Sequence, residues 1–180
     1  MKLLAFLCVF LSFSAFSQRS PYRERAATCN GSELISNLGR TLYRFTFSSD
    51  CQDALAQSRT HRGRFCDDSI LLRSNGQVGH RFTFSSDCRD ALGDLSNSRW
   101  NLFCDSEDLI NINRGQIADL TFESSCREAL REIEQYNGYF CDQSRLMNHR
   151  GQLISDFTFN SACKRALEDM ARSRHFLKIK

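Results

Sequence analysis

The chain has 180 residues, 41% of them hydrophobic, which suits one compact domain or an array of small units and excludes several large domains and a disordered chain. Its formal net charge of +3 is the difference between 24 basic and 21 acidic side chains. That balance is not the basic excess of a nucleic-acid-binding protein, so no nucleic-acid partner is expected.

Residues 1–17 read as a signal peptide. Lys2 supplies a short basic start, Leu3 to Phe13 an apolar run, and Ala15-Phe16-Ser17 a small-residue cleavage pattern. The run falls well short of the roughly 20 apolar residues of a spanning helix, so cleavage after Ser17 and export are expected. Cys8 would leave with the leader. No later segment is apolar enough to span a bilayer, so the mature chain is expected to carry no transmembrane segment and to reside in the periplasm or outside the cell. Eight cysteines remain there, an even number that suggests disulfides.

After a lead-in over 18–28 the chain repeats itself. The segments "TCNGSELISNLGRTLYRFTFSSDCQDAL", "FCDDSILLRSNGQVGHRFTFSSDCRDAL", "FCDSEDLININRGQIADLTFESSCREAL" and "FCDQSRLMNHRGQLISDFTFNSACKRAL" align, with a period of 37, 38 and 37. A period of this length marks a repeat architecture. The units run over 29–65, 66–103, 104–140 and 141–180.

Within each unit, a short apolar stretch (Leu34-Ile35, Leu71-Leu72, Leu109-Ile110, Leu146-Met147) leads to a turn glycine at Gly39, Gly76, Gly115 or Gly151, the signature of a hairpin. Beyond the turn, alternate apolar positions such as Val78, Phe82 and Phe84, or Leu153, Phe157 and Phe159, predict a half-buried strand with Arg81 and Asp156 facing the other way. In the third unit the glycine comes one residue later, which predicts a bulge or a longer turn and a shorter second strand. Ser49, Ser86, Ser124 and Ser161 are the expected helix N-caps, two residues before each second cysteine. An apolar stripe follows, as in Ala91, Leu92 and Leu95, which Ser58 weakens in the first unit. Both apolar side chains of each F-T-F or L-T-F segment, Phe45 and Phe47 or Leu120 and Phe122, are expected to pack on that stripe. A brief strand (Arg64 to Cys66, Leu102 to Cys104, Tyr139 to Cys141) leads into each next unit, and the closing "HFLKIK" is expected to form a last strand without a cysteine.

The first and second cysteines of every unit lie 22 residues apart, whereas the gap to the next unit runs 15, 16 and 15. Of the roughly hundred pairings that eight cysteines allow, the uniform one is within units: Cys29 with Cys51, Cys66 with Cys88, Cys104 with Cys126, Cys141 with Cys163. Each bridge should contribute roughly 3 kcal/mol by constraining the unfolded chain. A unit this small needs such staples, and stacking on its neighbours, to hold a core. The alternatives, reactive thiols or a metal centre, are disfavoured because no C-x-x-C pair occurs.

No motif for catalysis or phosphate binding is present, and His61, His80, His149 and His175 occupy unrelated repeat positions. Asp67, Asp105 and Asp142, with Asn30 in the equivalent place, read as turn-shaping residues, since nothing matches a calcium loop. No cofactor or metal is called for. Gln77, Gln116 and Gln152 follow the turn glycines, with Arg40 there in the first unit, so they form a candidate contact row. Strand residues Arg44 and Arg81 and the tail residues Arg172, Arg174, Lys178 and Lys180 are further contact candidates. Residues 104–140 carry a net charge of −5 (3 basic, 8 acidic) and 141–180 a net of +4 (8 basic, 4 acidic), a pattern compatible with self-association.

The sequence therefore predicts an α+β array of four tandem disulfide-stapled units, each a β-hairpin followed by a short helix, that serves as an exported, non-enzymatic binding module for a protein or glycan. The alternatives are a secreted hydrolase or toxin-like effector with one site between units, for which His61, His80 and Trp100 are the residues to inspect, and an inhibitor of a secreted enzyme.

Overall fold

The structure is a computed structural model that describes residues 27–177. The expected leader with its cleavage position, most of the lead-in, and Lys178 and Lys180 lie outside the described residues.

Four copies of one α+β unit follow each other. The first has strands β1 (Thr28–Asn30), β2 (Glu33–Ile35) and β3 (Thr41–Arg44) and helix α1 (Ser48–Thr60). The second has β4 (Phe65–Asp67), β5 (Ile70–Leu72), β6 (Val78–Arg81) and α2 (Ser85–Asn97); the third has β7 (Leu102–Asp105), β8 (Asp108–Asn111), β9 (Gly115–Asp119) and α3 (Glu123–Gln135). The fourth has β10 (Tyr139–Asp142), β11 (Arg145–Asn148), β12 (Leu153–Asp156) and α4 (Asn160–Leu177). Each sheet is a three-stranded antiparallel meander, so the brief strand that leads into a unit is the first strand of that unit's sheet. Two-residue turns join its first two strands, and the first turn residue is left-handed in every unit: Gly31, Asp68, Ser106 and Gln143.

All four disulfides pair within units, at S–S distances of 1.98 to 2.04 Å, and tie the first strand to the first turn of the helix. Four such bridges belong to an oxidising environment. Among the described residues no helix is long and apolar enough to cross a membrane.

The units hold each other through three repeated devices. The residue before each later first cysteine, Phe65, Phe103 or Phe140, is fully buried and completes the core of the preceding unit. This aromatic plug supplies the apolar area that a unit of this size lacks. Next, a polar side chain six residues after each second cysteine accepts the amide of the following unit's first cysteine: Gln57 Oε1 from Cys66 at 2.8 Å, Asp94 Oδ2 from Cys104 at 3.2 Å and Glu132 Oε2 from Cys141 at 2.8 Å. Lastly, the two carboxylates are paired across the same junctions, Asp94 with Arg127 at 3.0 Å and Glu132 with Lys164, which also holds Glu128 at 2.8 Å. Buried carboxylates of this kind are tolerated because their charge is met. Burial still raises Asp94 above the ordinary carboxylate value, against the pull of the Cys104 amide and Arg127. Burial works against the Lys164 charge, but Glu128 and Glu132 outweigh it and hold the ammonium above its usual value.

Several local expectations need correction. The N-cap positions of the first three helices are Phe47, Phe84 and Phe122, not serines. The chain leaves the strand after Arg44 or Arg81 and the helix begins at Ser48 or Ser85, so Ser49 and Ser86 already lie inside it, where their hydroxyls donate to Asp50 and Asp87. Strand alternation likewise stops short: Phe45, Phe82 and Leu120 are buried, whereas Phe47, Phe84 and Phe122 are exposed, as are Val78 and Leu153. The bulge expected of the third unit occurs in all four, between Leu34/Ile35, Leu71/Leu72, Leu109/Ile110 and Leu146/Met147. In the third unit the last strand is one residue longer, because Gly115 itself pairs with Asn111. Finally, α4 continues through Leu177, so His175-Phe176-Leu177 are helical and do not open a closing strand.

Candidate functional site

The expected contact row is exposed at Arg40, Gln77, Gln116 and Gln152. The glutamines are engaged locally: Gln77 Oε1 accepts from Asn75 at 3.0 Å, Gln116 Nε2 donates to Asp108 at 2.6 Å, and Gln152 Oε1 accepts from Asn148 at 2.9 Å. Such bonds tie the amides to their own hairpins. Arg44 is exposed and pairs across the strands with Glu33 at 2.5 Å, and Arg81 is exposed opposite Ile70. Arg172 pairs with Glu168 one helical turn away at 3.5 Å, and Arg174 belongs to the same helix.

A second row was not foreseen. Phe47, Phe84 and Phe122 are each 65% exposed and Phe159 is 68% exposed, all four immediately before a helix. Each stands beside hydroxyl-bearing residues that are also exposed, as with Thr46 and Ser48, Thr83 and Ser86, or Thr121 and Ser124. The repeat itself was the available signal: the second phenylalanine is identical in all four units, whereas the first is Leu120 in the third.

His61, His80 and Trp100 do not converge. His61 Nδ1 lies 2.6 Å from Ser96 Oγ between the first two units, yet that hydroxyl also lies 2.8 Å from the Leu92 carbonyl, and its single hydrogen serves only one of them. His80 Nε2 meets Asp105 at 2.8 Å between the second and third units, edge-on to Phe82 and Phe103. Tyr43 repeats this arrangement one unit earlier, donating to Asp67 at 2.9 Å beside Phe45 and Phe65. Asp67 and Asp105 thus make bonds between units, whereas Asp142 at the same place pairs with Arg145 of its own unit. Burial and the Asp67 carboxylate raise the Tyr43 phenol above its ordinary value. Trp100, in the segment that leads from the second unit into the third, stacks on His149 of the fourth unit with ring centroids 3.9 Å apart. Burial lowers the His149 pKa, and Arg150 and Arg114 push the same way, against a hydrogen bond at Gly138.

The junction between the first two units contains a half-open cavity of about 1170 Å³. Its apolar wall includes Leu34, Leu42, Leu55 and Phe65, and its rim carries Arg59, Arg62, Arg64 and Arg99. Ser58 and Ser74 both line it and widen it. At the corresponding places of the next junction stand Leu95 and Ile112, both buried in one continuous core, with Ile112 closing against Gly79. Two small polar residues leave the first junction hollow where two aliphatic ones fill the second.

No group of three or more potential metal ligands occurs among the described residues. Set beside protein-family models, curated proteins and solved structures, the chain matches none of them, and what it does is to be read from its own residues.

Proposed function

We propose that the protein is an exported, non-enzymatic binding module whose repeated units present one contact group several times to an extended protein or glycan. The observation that carries this reading is the row of four exposed phenylalanines. A single exposed apolar side chain is ordinary, but the same large aromatic left in water at the same place in every unit is a pattern that stability does not require. An aromatic face beside hydroxyls suits a partner that is itself part apolar and part hydroxylated or amide-bearing. Repetition multiplies a weak contact, because once one unit is engaged the others bind at high effective concentration. The four bridges make the scaffold rigid, so little ordering entropy opposes binding.

The test uses the exported chain and a version carrying Phe47→Ser, Phe84→Ser, Phe122→Ser and Phe159→Ser together. These positions are exposed, so the variant should keep its disulfides and its melting temperature. Both are applied to a glycan array and to immobilised surface proteins of the producing organism. Retention of the parent chain alone, weakening stepwise as single phenylalanines are replaced, supports the reading. Equal retention of parent and fourfold variant on every surface rejects it.

A further inference from the structure

We propose that the cavity between the first two units is a binding site for a small organic anion, a carboxylate or phosphate head joined to an apolar body. This does not rest on the phenylalanine row, which lies on other residues.

Three observations point to this chemistry. The charge is one-sided: four arginines line the cavity and no carboxylate among the described residues does. Arg99 is held by Glu134 at 3.0 Å, which fixes one side of the rim, while Arg59 and Arg62 have no hydrogen-bond or ion-pair partner among the described residues. Guanidinium groups are suited to carboxylate and phosphate, which they grip through paired N–H donors.

The second observation is the backbone at Arg62, which is left-handed with φ 55°. The loops after α2 and α3 meet the same demand with asparagine, Asn101 at φ 60° and Asn137 at φ 55°. Asparagine tolerates that conformation and arginine does so less well, so a charged side chain stands at the rim where local stability favours another residue.

The third is the inner surface. Leu34, Leu55 and Phe65 are buried and line the cavity together with the exposed Arg59 and Arg62, so it offers a ligand both hydrocarbon and charge. Its volume lies somewhat above the range typical of small-ligand sites, so it admits an extended apolar body. The described chain begins at Ala27 on the cavity wall.

The probes are decanoate and decyl phosphate below their micelle concentrations, with decanol as the neutral counterpart, measured by calorimetry on the exported chain. One-to-one binding of both anions is expected, at least tenfold tighter than decanol and weakening as salt rises. Arg59→Ala with Arg62→Asn should lower anion affinity at least tenfold while leaving the melting temperature unchanged or slightly higher, an outcome that misfolding does not mimic. Ser58→Leu with Ser74→Ile should weaken binding at least tenfold by narrowing the cavity, and Arg44→Ala with Arg81→Ala should leave it intact. Vesicles containing anionic phospholipid separate the two sources of such a head. Capture of vesicles that depends on Arg59 and Arg62 assigns the site to a membrane lipid, and binding of the free anions alone assigns it to a diffusible metabolite. Equal binding of decanol and decanoate, or undiminished binding by the filled variant, overturns the proposal. So does binding that appears only after residues 18–26 are removed, since the chain's own N-terminal stretch would then be the occupant.

Discussion

The first and second junctions of the array use the same parts to different ends. Both have an aromatic plug, Phe65 or Phe103, and both receive an amide from the next unit's first cysteine, on Gln57 or Asp94. They differ at two places, Ser58 against Leu95 and Ser74 against Ile112, and those two places decide whether the joint is hollow or solid. The third junction offers another solution at the second of these places: His149 stands there and stacks on Trp100. A repeat protein can thus keep its backbone joint constant and vary the contents, which confines differences in function to a few side chains.

The largest effect expected from breaking this contrast is at the solid joint. Phe103→Ala should cost about 3–5 kcal/mol, because the void it leaves is sealed on all sides. Phe65→Ala, which opens onto a cavity that already admits water, should cost clearly less. Urea unfolding of both variants checks the order, and equal losses would mean that the two cores are alike. Next comes the staple. Replacing Cys66 and Cys88 by serine, or Cys104 and Cys126, should cost about 2–5 kcal/mol in either unit, since both loops have the same length. A loss confined to the solid side would show that packing, and not the bridge, limits stability. Alkylation followed by non-reducing digestion and mass spectrometry tests the pairing directly: four within-unit bridges are expected and no free thiol in the exported chain.

Smaller, and opposite in sign, is the filling of the hollow joint. Ser58→Leu with Ser74→Ile should raise stability by about 0.5–2 kcal/mol and make the first joint resemble the second. Destabilisation on thermal unfolding would mean that the Leu34–Leu55 wall does not admit the added methyl groups. The smallest effect belongs to the third joint and depends on pH. Burial depresses His149 below its ordinary value of 6.5, so the folded state favours the neutral ring. The stability this contributes is complete above the unfolded value and is lost as pH falls through the folded one. Trp100 is the only tryptophan, so its fluorescence should change with a midpoint below 6.5. His149→Gln should remove that transition while leaving the first two joints untouched.

The repeat, the pairing of the cysteines and the hairpin-plus-helix unit were legible because each is written locally and four times over. The uniform spacing of 22 outweighed every other pairing, and the structure bears it out. The exposed phenylalanines were misread because period two was carried past the point where the strand ends. Phe45 directly follows the strand and still packs in the core, but Phe47 is the N-cap of the helix and answers to another geometry. The serine caps failed for the same reason, a helix that starts two residues earlier than the hydroxyl requires. The cavity was beyond a linear reading. Ser58 and Ser74 lie 16 positions apart in different units, and the rim arginines are scattered from 59 to 99, so only stacking makes them neighbours. Ser58 did stand out as a break in the helix stripe, a defect whose meaning depended on what the next unit placed opposite it.

The amide clamp has a consequence for how such a chain comes into being. The second and third units each carry the acceptor on the helix and the cysteine amide and aromatic plug on the first strand, so both halves of the joint reside in one stretch of about 37 residues. A tandem duplication of that stretch would create a new joint already matched on both sides, with no further mutation needed to make it fit. The fourth helix keeps the acceptor position at Asp169, which is exposed. The gene's lineage can therefore lengthen or shorten the array by whole units, and selection is left to act on the few side chains that tell one joint from the next.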